Sequence, residues 1–68
     1  MRVVYDSSQD ILDIYLSEAE RLTSKEILPG VIADLDKKGN IISLEILDAR
    51  ARYGAPTLEE FSFKKTPV

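Results

Sequence analysis

Residues 31–47 read VIADLDKKGNIISLEIL. Two runs of alternating apolar residues flank a polar turn holding Gly39, the pattern of an antiparallel hairpin. The turn can close in two ways. Asp36-Lys37-Lys38-Gly39 suits a type I turn with Gly39 left-handed and a bulge, a three-residue loop that sets Asp34 opposite Ile42 and Ile32 opposite Leu44. A four-residue loop instead pairs Leu35 with Ile42, Ala33 with Leu44 and Val31 with Ile46. That register gives a clean apolar face, and a slip of one residue exchanges the two faces. Turn chemistry supports the first register and patterning the second.

Outward from the hairpin, Pro29-Gly30 is a turn signal that ends the segment before it. Residues 2–5, RVVY, read as a short strand, and 11–16, ILDIYL, as a second, with Leu12, Ile14 and Leu16 on one face. DSSQD between them is a run of turn formers. SEAERL at 17–22 has the Ser17–Glu20 spacing of a capping box, but TSKEIL then alternates weakly. The reading is a loop, then a polar third strand near 22–27 whose Lys25 and Glu26 suit a sheet edge. After the hairpin, Asp48 is placed to cap a helix over 48–53, with Gly54 at its C-terminal end and Pro56 beyond. Residues 57–65 fit either a helix or a strand, and a final short strand, or an arm packing Leu58, Phe61 and Phe63 on a neighbour, is the preferred outcome. The expected fold is α+β: an antiparallel meander of four or five strands, a short helix after the main sheet, and a C-terminal arm. Residues 1–54 and the arm, 55–68, belong to one domain.

Composition narrows the function. With 68 residues, the chain buries only about 60% of its unfolded surface on folding. Cysteine and histidine are both absent, which excludes disulfides, the usual zinc ligands and the common Ser-His and Cys-His catalytic pairs. Self-association is the support that remains, so a homodimer is expected. The 9 basic residues are scattered, six of them in pairs (Lys37-Lys38, Arg50 and Arg52, Lys64-Lys65), among 12 acidic ones, which disfavours nucleic acid. The opening MRVVYD meets an aspartate after two valines and does not read as a signal peptide. No apolar run approaches the ~20 residues of a membrane span. A cytoplasmic location is expected, and no cofactor.

Tyr5-Asp6, Asp10-Ile11-Leu12, Ile14 and Leu16-Ser17 fall into a pattern with Pro29-Gly30-Val31, Asp34, Asp36, Gly39-Asn40 and the segment from Leu44 to Ala49. This pattern resembles a family of small prokaryotic proteins known as domain of unknown function 2283, over roughly residues 1–50. The chain departs from it at Ser7, where members tend to carry proline, and at Asp13, where they often have an aromatic. It departs again at Ser43, often glycine, and at Arg50, often serine. The resemblance implies a small antiparallel sheet with a short helix after its last strand. It implies no activity, and partner binding only by the company of small toxin-like ribonuclease genes.

Two polar constellations invite chemistry. Asp34, Asp36, Gly39 and Glu45 match calcium-loop positions one, three, six and twelve, but Lys38 stands at five and the flanks read as strands rather than helices. Paired carboxylates among Asp6, Asp10, Asp13, Asp34 and Asp36 could hold a divalent metal or act as acid and base. The plainer expectation is that Asp6, Asp10 and Asp36 organise turns while Asp34 finds a local partner. In the three-residue register Asp34 sits on an apolar face, where burial would raise its pKa.

The third constellation is apolar. A face carrying Leu12, Ile14, Leu16, Leu44 and Ile46 is too wide for one short helix to cover. The leading expectation is a non-catalytic interaction protein, a homodimer or the binder of a small protein partner, using these residues with Phe61 and Phe63. The alternative is a carboxylate-dependent metal-binding or hydrolytic protein built on Asp34 and Asp36 with Asp6 or Asp10.

Overall fold

The computed structural model describes residues 1–54. The expected arm, with Leu58, Phe61 and Phe63, lies outside the described residues. Five strands, β1 (Arg2–Asp6), β2 (Ile11–Tyr15), β3 (Thr23–Leu28), β4 (Val31–Leu35) and β5 (Ile41–Leu47), precede one short helix, α1 (Ala49–Tyr53). They form a single antiparallel sheet in the order β1-β2-β5-β4-β3. Thus β3-β4-β5 runs as a meander, and the β1–β2 hairpin is laid against its free side through β2. The small α+β sheet expected from the sequence is what forms.

The central hairpin uses both of the registers read from its sequence. Near the turn, Asp36 N–H donates to the Asn40 carbonyl (3.0 Å) and Gly39 N–H to the Asp36 carbonyl (3.1 Å), with Gly39 at φ 82°. This is the tight turn that Asp36 and Gly39 favour. Farther along, Val31 faces Ile46, Ala33 faces Leu44 and Asp34 faces Ser43, as patterning requires. A bulge between the two regions reconciles them, since Leu35 faces Ile41 and Ile42 is the extra residue. The expected pairs Asp34–Ile42, Ile32–Leu44 and Leu35–Ile42 are therefore not formed. Ile42 is buried, and its carbonyl accepts the N–H groups of Leu16 (2.8 Å) and Ser17 (3.1 Å) just beyond β2.

β3 lies at one edge, exposed along its whole length, as its Lys25 and Glu26 suggested. Residues 17–22 are irregular, and the Ser17 hydroxyl accepts the Ala19 N–H (3.1 Å) without starting a helix. The cap of α1 differs from expectation. Asp48 occupies the N-cap position but is left-handed, at φ 53°, and its side chain bonds no helix amide. Asp10 does that work from the β1–β2 turn: its carboxylate accepts the N–H groups of Arg50 (2.7 Å) and Ala51 (3.2 Å). Its carbonyl accepts the Ala49 N–H (3.1 Å). At the other end, Gly54 (φ 83°) donates its N–H to the Arg50 carbonyl, as a C-terminal glycine should.

Candidate functional site: the two faces of the sheet

Alternation along the strands sorts the side chains into two faces, and the registers align them. Val3 faces Ile14, Tyr5 faces Leu12, Leu12 faces Ile46, Ile14 faces Leu44, and Leu44 and Ile46 face Ala33 and Val31. This apolar face is continuous from β1 to β4. It brings together Leu12, Ile14, Leu44 and Ile46 as the sequence indicated. Leu16, just beyond β2, extends the same row and is 47% exposed.

Helix α1 does not cover that face. Its bonds run to the sheet's end, through Asp10 in the β1–β2 turn and from the Arg52 guanidinium to the Pro29 carbonyl (2.6 Å) in the β3–β4 turn. Consequently the buried apolar residues among those described are only Ala33, Ile42 and Ala49, and no large side chain is fully enclosed. Leu12, Ile14, Leu44 and Ile46 stay half-buried, each with its outer side toward solvent.

The opposite face is polar and acidic at its centre. Asp13 stands directly across from Glu45, with Asp34 on the neighbouring strand beside Ser43. Burial pushes the carboxyls of Asp13 and Glu45 above their usual range, and the charge of Asp34 raises both further. Asp34 behaves differently. Burial opposes its ionisation too, but hydroxyl bonds donated by Ser24 and Ser43 outweigh it and hold the carboxyl below the usual range. Arg21 adds a weak ion pair to Asp34 at 4.0 Å. The expectation that Asp34 would lie on an apolar face with a raised pKa is thus reversed, because the bulge keeps Asp34 facing Ser43.

The remaining candidate carboxylates are spread over separate turns. Asp6 Oδ1 accepts the Ser8 N–H (2.9 Å), the Ser8 hydroxyl (2.6 Å) and the Gln9 N–H (3.3 Å). Asp10 caps α1 and accepts the Tyr5 hydroxyl (2.8 Å). Asp36 accepts the N–H groups of Lys38 and Asn40, both at 2.9 Å. Hydrogen bonds to the charged form hold all three carboxyls low. Among the described residues, no three acidic side chains converge as a metal site would require. Glu45 of the calcium-loop pattern lies mid-strand opposite Asp13 rather than over the turn of Asp36.

The facing of Asp13 and Glu45 was not legible in the sequence. It depends on β2 pairing with β5 across 25 intervening residues of chain, and nothing local announces that neighbour. Its only trace was Asp13 itself, a charge in the middle of the apolar run ILDIYL.

No helix among the described residues is long and apolar enough to cross a membrane. No curated protein and no solved structure matches the chain. Residues 2–50, well over half of its length and spanning all five strands and the start of α1, match the family described as protein of unknown function (DUF2283). The chain belongs to that family.

Proposed function

We propose that this protein is a non-catalytic interaction module that acts as a homodimer, with the apolar face of the sheet as its binding surface. One observation carries the reading: a continuous apolar face from β1 to β4 that no second layer covers among the described residues. Strands about 4.8 Å apart and about 17 Å long give the four strands from β1 to β4 a face of roughly 330 Å² in projection. Contiguous apolar patches of that size on soluble proteins mark interaction sites. A second copy is the occupant that also supplies the core a chain of this size lacks.

The alternative, a metal-dependent or hydrolytic role for Asp34 and Asp36, has weaker support. Asp34 holds two serine hydroxyls on the sheet, whereas Asp36 closes the adjoining turn with backbone amides. Neither has a raised pKa suited to an acid at neutral pH.

Native mass spectrometry and sedimentation of the full chain test the proposal. Self-association at micromolar concentration is expected, as a dimer where the apolar face is the sole contact, and Leu44→Asp, which buries a charge in the middle of that contact, should raise its dissociation constant at least about a hundredfold. A monomer, or a dimer indifferent to Leu44→Asp, would remove the apolar face from the assignment. A second polypeptide in material purified from its native source would point to the heteropartner form of the same role.

A further inference from the structure

Among the described residues β1 and β3 are the two edges of the sheet, and they are not alike. When two copies join edge to edge through antiparallel strands, a two-fold axis normal to the sheet relates them and each residue keeps its face. Because faces alternate with a period of two, only residues of equal parity can stand opposite one another. On β3 this rule disfavours the two central registers, which pair the most residues. Centring the pair on Lys25 sets lysine against lysine, and centring it on Glu26 sets glutamate against glutamate. A bulge between Glu26 and Leu28 interrupts the strand as well. β3 is a guarded edge.

β1 has none of these defences. Its five residues pair with β2 without a bulge, and it contains no proline and no charge at its centre. Centred on Val4, the same rule sets Val4 against Val4, Val3 against Tyr5, and Arg2 against Asp6 at both ends. It is the register that pairs all five residues, and both of its charged positions meet an opposite charge. Within one chain Arg2 and Asp6 are about 13 Å apart along the strand and cannot pair. The Arg2 guanidinium lies over the Tyr15 ring, 4.4 Å from its centre, and the turn's hydrogen bonds to Asp6 all use Oδ1.

We propose that β1 pairs antiparallel with β1 of a second copy across a two-fold axis at Val4. The union is one sheet of twice the strand count, held by roughly four to six backbone hydrogen bonds and two Arg2–Asp6 pairs. Because the axis is normal to the sheet, both apolar faces then lie on the same side. The contact does not rest on the apolar-face reading.

The chain has no cysteine, so engineered ones report without interference. Val4 is 42% exposed and lies on the polar face, opposite Asp13. In the proposed pair the two Val4 Cα atoms are about 4.5–5.5 Å apart, within disulfide range. A dimer formed through the apolar faces would instead hold them more than about 10 Å apart on its outer surfaces. Under mild oxidation of the full chain at micromolar concentration, Val4→Cys should become a covalent dimer, and Lys25→Cys on the guarded edge should give at least about tenfold less. In the Val4→Cys background, Arg2→Asp should lower the yield several-fold. A mixture of Arg2→Asp and Asp6→Arg chains should cross-link to each other in preference to themselves. Equal yields from Val4→Cys and Lys25→Cys would overturn the proposal, and so would indifference to Arg2→Asp. Since Asp6→Arg also removes turn bonds to Ser8 and Gln9, the Arg2→Asp result decides if that chain does not fold.

Discussion

Among the described residues, Asp10 makes the side-chain hydrogen bonds that span the most sequence. It sits in a left-handed conformation at φ 57°, accepts the Tyr5 hydroxyl, and caps a helix that begins 39 residues later. Asp10→Ala removes those bonds and strains the backbone as well. It should lower the thermal midpoint clearly and reduce helical circular dichroism. Asp48→Gly should do neither, because Asp48 makes no cap bond and glycine relieves its positive φ. Equal losses from the two changes would count against this division of labour. Local pattern reading chose Asp48, since a cap signature is sought just before its helix. A carboxylate delivered from a distant turn leaves no such signature. Gly54, whose role depends only on its own backbone, was legible for the same reason that Asp10 was not.

Among the elements, the β4–β5 hairpin shows how two local preferences can both be honoured. Asp36 and Gly39 build the turn they favour, the apolar alternation of β4 and β5 builds the faces it favours, and the one-residue conflict is absorbed at Ile42. The sequence displayed both preferences, but each register assumed a ladder unbroken beyond the turn and so excluded the other. Gly39 has open space where a Cβ would go, so Gly39→Ala tests backbone strain alone. It should cost about 1–2 kcal/mol in urea unfolding. A neutral result would mean that the turn can close without its left-handed residue. The strands themselves were legible to within a residue or so, because periodicity is local. Their order was not, because it depends on which free side of the meander receives the first hairpin.

For the whole molecule, charge sets how stability varies with pH. Asp13 and Glu45 face each other with raised pKa values, so the fold prefers their protonated forms. They cost stability above their folded pKa values. That stability returns as pH falls through those values towards the ordinary 3.8 and 4.5. Asp6, Asp10, Asp34 and Asp36 have the opposite sign: their contribution is present above the unfolded value and is lost as pH falls through their lowered ones. Stability should therefore peak on the acid side of neutrality and fall away below about pH 4. Asp13→Asn, which removes the facing charge, should stabilise the protein at neutral pH by up to about 1 kcal/mol. The gain should fade as the solution approaches pH 4, and urea titrations at the two pH values would read both. A gain independent of pH would show that packing rather than charge is responsible.

The strand order also has a consequence in time. On a ribosome the β1–β2 hairpin emerges first, but the neighbour that completes β2 is β5, the last of the described strands. Leu12 and Ile14 must wait for Leu44 and Ile46, and Asp10 waits longer still for the amides of Arg50 and Ala51. The nascent hairpin is too small to persist in water alone. The meander can begin to form behind it, yet the full sheet cannot close strand by strand. β2 can be sealed only once β5 is made, so a stalled or truncated chain ending before residue 43 leaves the first hairpin without its partner.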